Sequence, residues 1–314
     1  MTGPADLRLP APDAITLDDI IRIYEAFRPQ MPAAPQLSAA PRRTDRLVDL
    51  LDHVDALVLD GFGVINIGAT RIDGILEFLD EVARRDIAVM VLTNGASQPA
   101  ETSWRKYRNW GLELACAQVV SSRDALEAEI ATLTKGAAVG SMGPAARPLE
   151  IDGAVGFDDP DMFEHAAFFA FLGSTGWTEA HQAALEAALA SGQRHLLVAN
   201  PDVSAPHEDG FSAEPGYWAA RAVQATGIRP HWFGKPHAGA FDLVMARMEG
   251  IYGRRFARDR VAMVGDSLHT DVLGGAAAGM QAVLLTGYGL FSQGGADDLI
   301  RACGITPHWI VERL

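Results

Sequence analysis

The stretch "LVLDGFGVI", Leu57 to Ile65, decides the reading of this chain. An unbroken apolar run stops on a single acid, Asp60, and two glycines then bracket Phe62. Short apolar runs bounded by turn residues suit strands buried on both faces. A carboxylate at the end of such a strand sits where the sheet meets solvent. Two later runs end the same way: "VMVLTN" closes on Thr93 and Asn94, and "VAMVGD" closes on Asp266. Helical patterns lie between them, "IDGILEFLDEVARRD" with Ile75, Phe78, Leu79 and Val82 on one face, and "AGAFDLVMARMEGIYG". Strands alternating with helices predict an α/β fold with a parallel sheet covered on both sides. In such sheets the C-terminal strand ends share one edge, and ligands bind there. Asp60, Thr93 and Asp266 therefore converge, and Lys235 in "FGKPH" precedes a helix that leads into the last of these strands.

The remaining sequence bounds the problem. At 314 residues, 48% hydrophobic and with 31 glycines, the chain has room for two cores. Its net charge of −14 is spread along the sequence, a field that repels nucleic acid. Cys116 and Cys303 match no metal spacing or disulfide framework. The N-terminus lacks a basic start followed by an apolar core, and no apolar run reaches membrane-spanning length, so a cytoplasmic protein without a membrane partner is expected. Residues 1–44 read as an extension with one helix in "TLDDIIRIYEAF", capped by Thr16 with Asp19 three places on and with Ile20, Ile23, Tyr24 and Phe27 as its apolar face. A second strand–helix series, "AAFFAFLG" to "HLLVANPD", fills the middle.

Two acids, a hydroxyl and a lysine at one sheet edge suit phosphoryl transfer. A carboxylate can attack phosphorus and form an aspartyl-phosphate. A hard cation such as Mg²⁺ takes carboxylate and phosphate oxygens, and a lysine and a hydroxyl can hold the transferring oxygens. The N–H groups of "DGFG" and "TNGAS" precede helices and add anion donors.

"LVLDGFGVI", "VLTNGAS", "GKPHAGAF" and "MVGDSLHTDVLGGAAAGM" resemble, in order and spacing, the four motifs of the haloacid dehalogenase superfamily. The insertion between the second and third, with "ANPDVS" inside it, resembles the type IIA cap of the NagD-like and nitrophenylphosphatase-like branch. The resemblance implies a Rossmann-like core over residues 45–120 and 232–314, with an α/β cap over 121–231. It implies Asp60 as nucleophile, Thr93 as phosphate ligand and Lys235 as charge clamp. Mg²⁺ would be held by Asp60, the main-chain carbonyl of Phe62, Asp266 and Asp271. Asn94, Gly95, Asn200 and Asp202 would contact a small phosphorylated metabolite, a sugar phosphate or nucleotide-like ester. Relatives of this type also suggest a homodimer through the cap.

One position departs from the pattern. The family's phosphatases carry a second Asp where this chain has Phe62, and that Asp moves the proton. General acid–base help is worth roughly 10²–10⁴-fold, or about 3–5 kcal/mol of barrier. His207, Glu208 and His237 are the candidates for a relocated base. The alternative is a catalytically impaired fold that binds a phosphorylated ligand in a regulatory role. "GFGVINIG" carries two glycines of a dinucleotide fingerprint, but Asn66 stands at the third position, which disfavours a dehydrogenase.

Overall fold

The computed structural model describes residues 7–35, 37, 40–207 and 210–314, with only the backbone of residues 206 and 207. Seven parallel strands form the larger sheet, in the spatial order Arg42–Arg46, Trp309–Arg313, Gln281–Leu285, Val261–Gly265, Ala56–Leu59, Ala88–Thr93 and Val119–Ser121. The strand that leads to Asp60 lies between the Val261–Gly265 and Ala88–Thr93 strands, with Leu57 level with Ala262 and Val89. This register sets Asp60, Thr93 and Asp266 side by side. All four residues of Ala56–Leu59 are buried, as a strand covered on both faces requires. Leu57 and Leu59 join one apolar layer with Phe78, Val82 and Tyr107, while Ala56 and Val58 join another with Phe241, Val244 and Met248.

A second parallel sheet of five strands, His231–Trp232, His195–Val198, Phe168–Phe171, Val139–Met142 and Ala154–Val155, forms the inserted α/β unit. Three of the expected limits shift by a few residues: Ser121, expected to open the cap, pairs with Thr93 and closes a strand of the larger sheet. Arg42–Arg46 pairs with Trp309–Arg313, so residues 42–44 belong to the larger sheet and not to the N-terminal extension. Trp232, expected to open the returning core, pairs with Val198 in the smaller sheet. Both edge strands are polar or very short and carry little pattern of their own. After Asp266 the chain enters a π-helical turn, Leu268–Val272, and becomes α-helical only at Leu273–Ala277. Such turns insert an extra residue and re-aim side chains; here the turn carries Asp271.

The N-terminal helix spans Leu17–Phe27, and Thr16 and Asp19 form a reciprocal capping box at its start. Ile20, Ile23, Tyr24, Ala26 and Phe27 are buried together with Trp218, Val203 and Tyr217 of the smaller unit. The same helix reaches the larger unit: Tyr24 stacks on His269 with ring centroids 5.0 Å apart, and Glu25 Oε1 lies 2.7 Å from His269 Nε2. The extension is thus a strap across both sheets. No helix among the described residues is long and apolar enough to cross a membrane.

Ile23 has no solvent exposure within this strap. Ile23→Ala is expected to lower unfolding free energy by about 2–5 kcal/mol, read as a shift in urea midpoint. An unchanged midpoint would mean that the helix is not docked.

Candidate active site

Four strand ends and one loop build the site. Asp60 leaves the central strand with its N–H bonded to the Val264 carbonyl at 2.8 Å, and its Oδ1 accepts the Gly61 N–H at 2.7 Å. Gly63 follows with φ +75°, and a Cβ there would fall 2.3 Å from Asp266 Cγ. Only glycine allows that turn and that approach. Gly265 is needed for a similar reason, since a Cβ on it would meet Asp271 Cγ at 2.0 Å. The two glycines let three carboxylates crowd together.

Asp60, Asp266 and Asp271 each present an oxygen within 4.8 Å of the others, and all three are buried. Lys235 is buried among them, its Nζ 2.6 Å from Asp60 Oδ1 and 2.7 Å from Asp271 Oδ1. Both approaches are ion pairs, so the one ammonium is shared between two carboxylates. Three acids facing one ammonium leave an excess of buried negative charge. The protonation equilibria follow from that excess. Burial and the neighbouring Asp271 raise Asp60 well above the usual carboxylate range, against the opposing pull of Lys235. Burial and Asp271 push Asp266 up to about 7. Burial would lower Lys235, but Asp271 and Asp60 outweigh it and hold the ammonium charged. A set of three hard carboxylate oxygens within 4.8 Å of one another, with surplus negative charge, fits a divalent cation such as Mg²⁺.

Asn94 ties this centre together. Its Nδ2 donates to Asp202 Oδ1 at 2.8 Å and to the Lys235 carbonyl at 3.0 Å, and its Oδ1 accepts the Lys235 N–H at 2.8 Å. One side chain therefore fixes the lysine backbone and joins the two α/β units. Thr93 Oγ1 accepts the Gly95 N–H at 3.2 Å beside the Asp60–Gly61 turn. Asn200 accepts the Asp202 N–H at 2.9 Å and donates to Glu214, so its side chain shapes the turn that holds Asp202.

A narrow cleft opens over the centre, bounded by Asp60, Phe62, Asp202, Ser204, Asp266 and Thr270, with Ile20 and Tyr24 on the side of the strap. Of the expected site residues, Asp60, Phe62, Asp202 and Asp266 face this cleft. Lys235 and Asp271 lie buried beside Asp60, while Asn94 and Asn200 are struts. Ile20 and Tyr24 were legible only as the apolar face of a helix; nothing local in sequence tells which surface such a face meets. Among the candidates for a relocated base, His237 lies at the start of the helix Ala238–Tyr252 and lines a separate apolar hollow with Phe27 and Trp232. Burial lowers it to about 4 there. The His207 side chain and Glu208 lie outside the described residues.

Folded Asp60 and Asp266 bind protons more tightly than unfolded aspartates, so the folded state holds more protons between the ordinary aspartate range and about pH 7. Stability of the metal-free protein is therefore expected to fall as pH rises through that window. Melting temperature should drop from pH 5 to pH 8, less steeply in Asp266→Asn, and Mg²⁺ should raise it more at pH 8 than at pH 5. Equal Mg²⁺ effects at both pH values would refute the assignment of these acids to a cation.

Comparisons with known proteins agree with this geometry. The family described as haloacid dehalogenase-like hydrolase matches residues 57–153, and the family described as HAD-hydrolase-like matches residues 232–314. The chain is 27% identical over 242 residues to an acid sugar phosphatase of Staphylococcus aureus, covering 73% of this chain and 85% of that protein. A crystal structure of a possible sugar phosphatase from Cytophaga hutchinsonii superposes with a TM-score of 0.73 at 23% identity, over 86% of this chain and 98% of the other. The 4-nitrophenylphosphatase of Thermotoga maritima gives a TM-score of 0.66 at 25% identity, over 83% and 95% of the two chains. The strand ends, the inserted unit and these matches lead to one assignment: the chain belongs to the haloacid dehalogenase-like hydrolases.

Proposed function

We propose that this protein is a Mg²⁺-dependent phosphatase acting on a small phosphate monoester through an aspartyl-phosphate at Asp60. The observation that carries this reading is the Asp60 carboxylate held 2.6 Å from Lys235 at the floor of a cleft, with Asp266 and Asp271 beside it. Asp60, Asp266, Asp271 and the Phe62 carbonyl would hold the cation, which when bound offsets charge on the phosphoryl oxygens. The chain's own groups do the rest. Lys235 aims Asp60 and, together with a bound cation, favours its ionised form, and its positive charge favours an incoming phosphate. The Thr93 hydroxyl, at the neighbouring strand end, would contact the transferring oxygens, and the Gly61 and Gly95 N–H groups hold Asp60 and Thr93 in place for it. The strap and cap cover the cleft and keep bulk water from the phosphoenzyme.

The relatives support phosphate-ester chemistry by their names, and the cleft supports a compact leaving group. Its walls from Ile20, Tyr24, Phe62 and Leu290 are apolar, with Asp202 and Ser204 as polar points. Among the described lining residues there is no arginine or further lysine to meet a second anionic group. A monoester with one phosphate and an otherwise uncharged body, such as a sugar phosphate, suits these walls better than a diphosphate. A regulatory binder that has lost turnover is the second reading, and Phe62 on the cleft wall is the observation behind it.

Asp60→Asn is expected to bring Mg²⁺-dependent hydrolysis of p-nitrophenyl phosphate to background while the chain still unfolds in one cooperative transition. A parent protein that binds phosphate with Mg²⁺ yet hydrolyses no ester on a broad panel would establish the binder instead. Hydrolysis that survives in Asp60→Asn would overturn the aspartyl-phosphate.

A further inference from the structure

We propose that Asp202, delivered by the cap, performs the proton transfers that Phe62 cannot. This rests on the phosphatase reading above and assigns the missing acid and base within it. In the first step Asp60 Oδ forms a bond to phosphorus as the bond from phosphorus to the ester oxygen breaks. The Asp202 carboxylic acid gives its proton to that departing oxygen, which leaves as an alcohol. In the second step the Asp202 carboxylate takes a proton from water as the water oxygen bonds to phosphorus and the Asp60–phosphorus bond breaks. Inorganic phosphate leaves, and both aspartates return to their starting states.

Position and surroundings both point to Asp202. It lines the same cleft as Asp60 and as Phe62, which stands where the acid is missing. Its backbone is fixed on both sides, by Asn200 at its N–H and by the Gly216 N–H donated to its carbonyl at 2.9 Å. Asn94 engages Oδ1 at 2.8 Å, which leaves Oδ2 to carry the proton. The groups that act on it come from every neighbouring element: Lys235 and Asp271 from the core, Glu214 from the cap, and Tyr24 from the strap. Burial lifts it to about 7, with Lys235 and the Asn94 bond opposing, and that suits a group that must both give and take a proton near neutral pH. The Asn94 bond also joins cap to core, so one contact both positions the acid and ties the two units together. His237 lacks both the position and the basicity for this task.

Asp202→Asn tests this, because the amide oxygen can still accept from Asn94 while no proton can be exchanged. Rapid-mixing kinetics with p-nitrophenyl phosphate and a simple alkyl phosphate separate the two steps. The phenolate leaves without a proton, so the variant should release one equivalent in a burst at the parent rate, then turn over about 10²–10⁴-fold more slowly. With the alkyl phosphate the burst should vanish as well. Phe62→Asp added to Asp202→Asn should restore turnover on both esters, which a folding defect would not allow. Parent-like turnover in Asp202→Asn, or equal loss of burst and turnover on both esters without rescue, overturns the proposal alone. A parent chain that hydrolyses neither ester overturns the phosphatase reading and this proposal with it.

Discussion

The contact on which the site depends is the buried ammonium of Lys235 between Asp60 and Asp271, at 2.6 and 2.7 Å. A charge with 1% exposure is tolerable only when paired. The rest of the centre can be understood as the means of keeping that pair in place. Asn94 holds the lysine backbone at both its N–H and its carbonyl. Gly63 and Gly265 remove the side chains that would separate the acids. The π-helical turn brings Asp271 back toward the strand end, where its Oδ2 accepts the Ser267 N–H at 3.1 Å. Yet one ammonium does not neutralise three carboxylates. The surplus is an energetic cost to the metal-free fold and an attraction for a cation, so the same residues that strain the protein's electrostatics equip it for phosphate chemistry.

Much of this was visible in the sequence, for definite reasons. Buried parallel strands read as unbroken apolar runs, so "LVLD", "VMVLTN" and "VAMVGD" announced themselves and placed Asp60, Thr93 and Asp266 on one edge. The capping box at Thr16 was legible because its chemistry is local. What the pattern lacks is information about partners. Arg42–Arg46 is a charged edge strand with no apolar alternation, and its only evidence is its pairing with Trp309–Arg313. The apolar face of Leu17–Phe27 was clear, but that it spans cap and core, and brings Ile20 and Tyr24 to the cleft, depends on contacts far away in sequence. The bonds of Asn94 to Asp202 and Lys235 were hidden for the same reason: those partners lie more than a hundred residues on.

Phe62 takes on a different meaning in this setting. In sequence it was a gap in a familiar pattern. In the structure it forms one wall of a cleft whose opposite unit contributes an aspartate. Moving the acid from the core to the cap would couple proton transfer to cap closure, and would leave an apolar ring against the leaving group. The strap adds to that enclosure, since Tyr24 touches His269 of the core and accepts the Val203 N–H of the cap at 3.2 Å. An aromatic at position 62 is then a feature of the pocket as much as a loss from the catalytic set.

The central claim is that Asp60 carries the phosphoryl group. Its most direct test is rapid acid quenching of the full-length protein during turnover of a phosphate monoester with Mg²⁺, followed by peptide mass spectrometry. The account predicts a phosphoryl adduct on the peptide containing Asp60, labile to hydroxylamine and absent without substrate. An adduct on any other residue, or steady turnover with no adduct on Asp60 at any quench time, would contradict it.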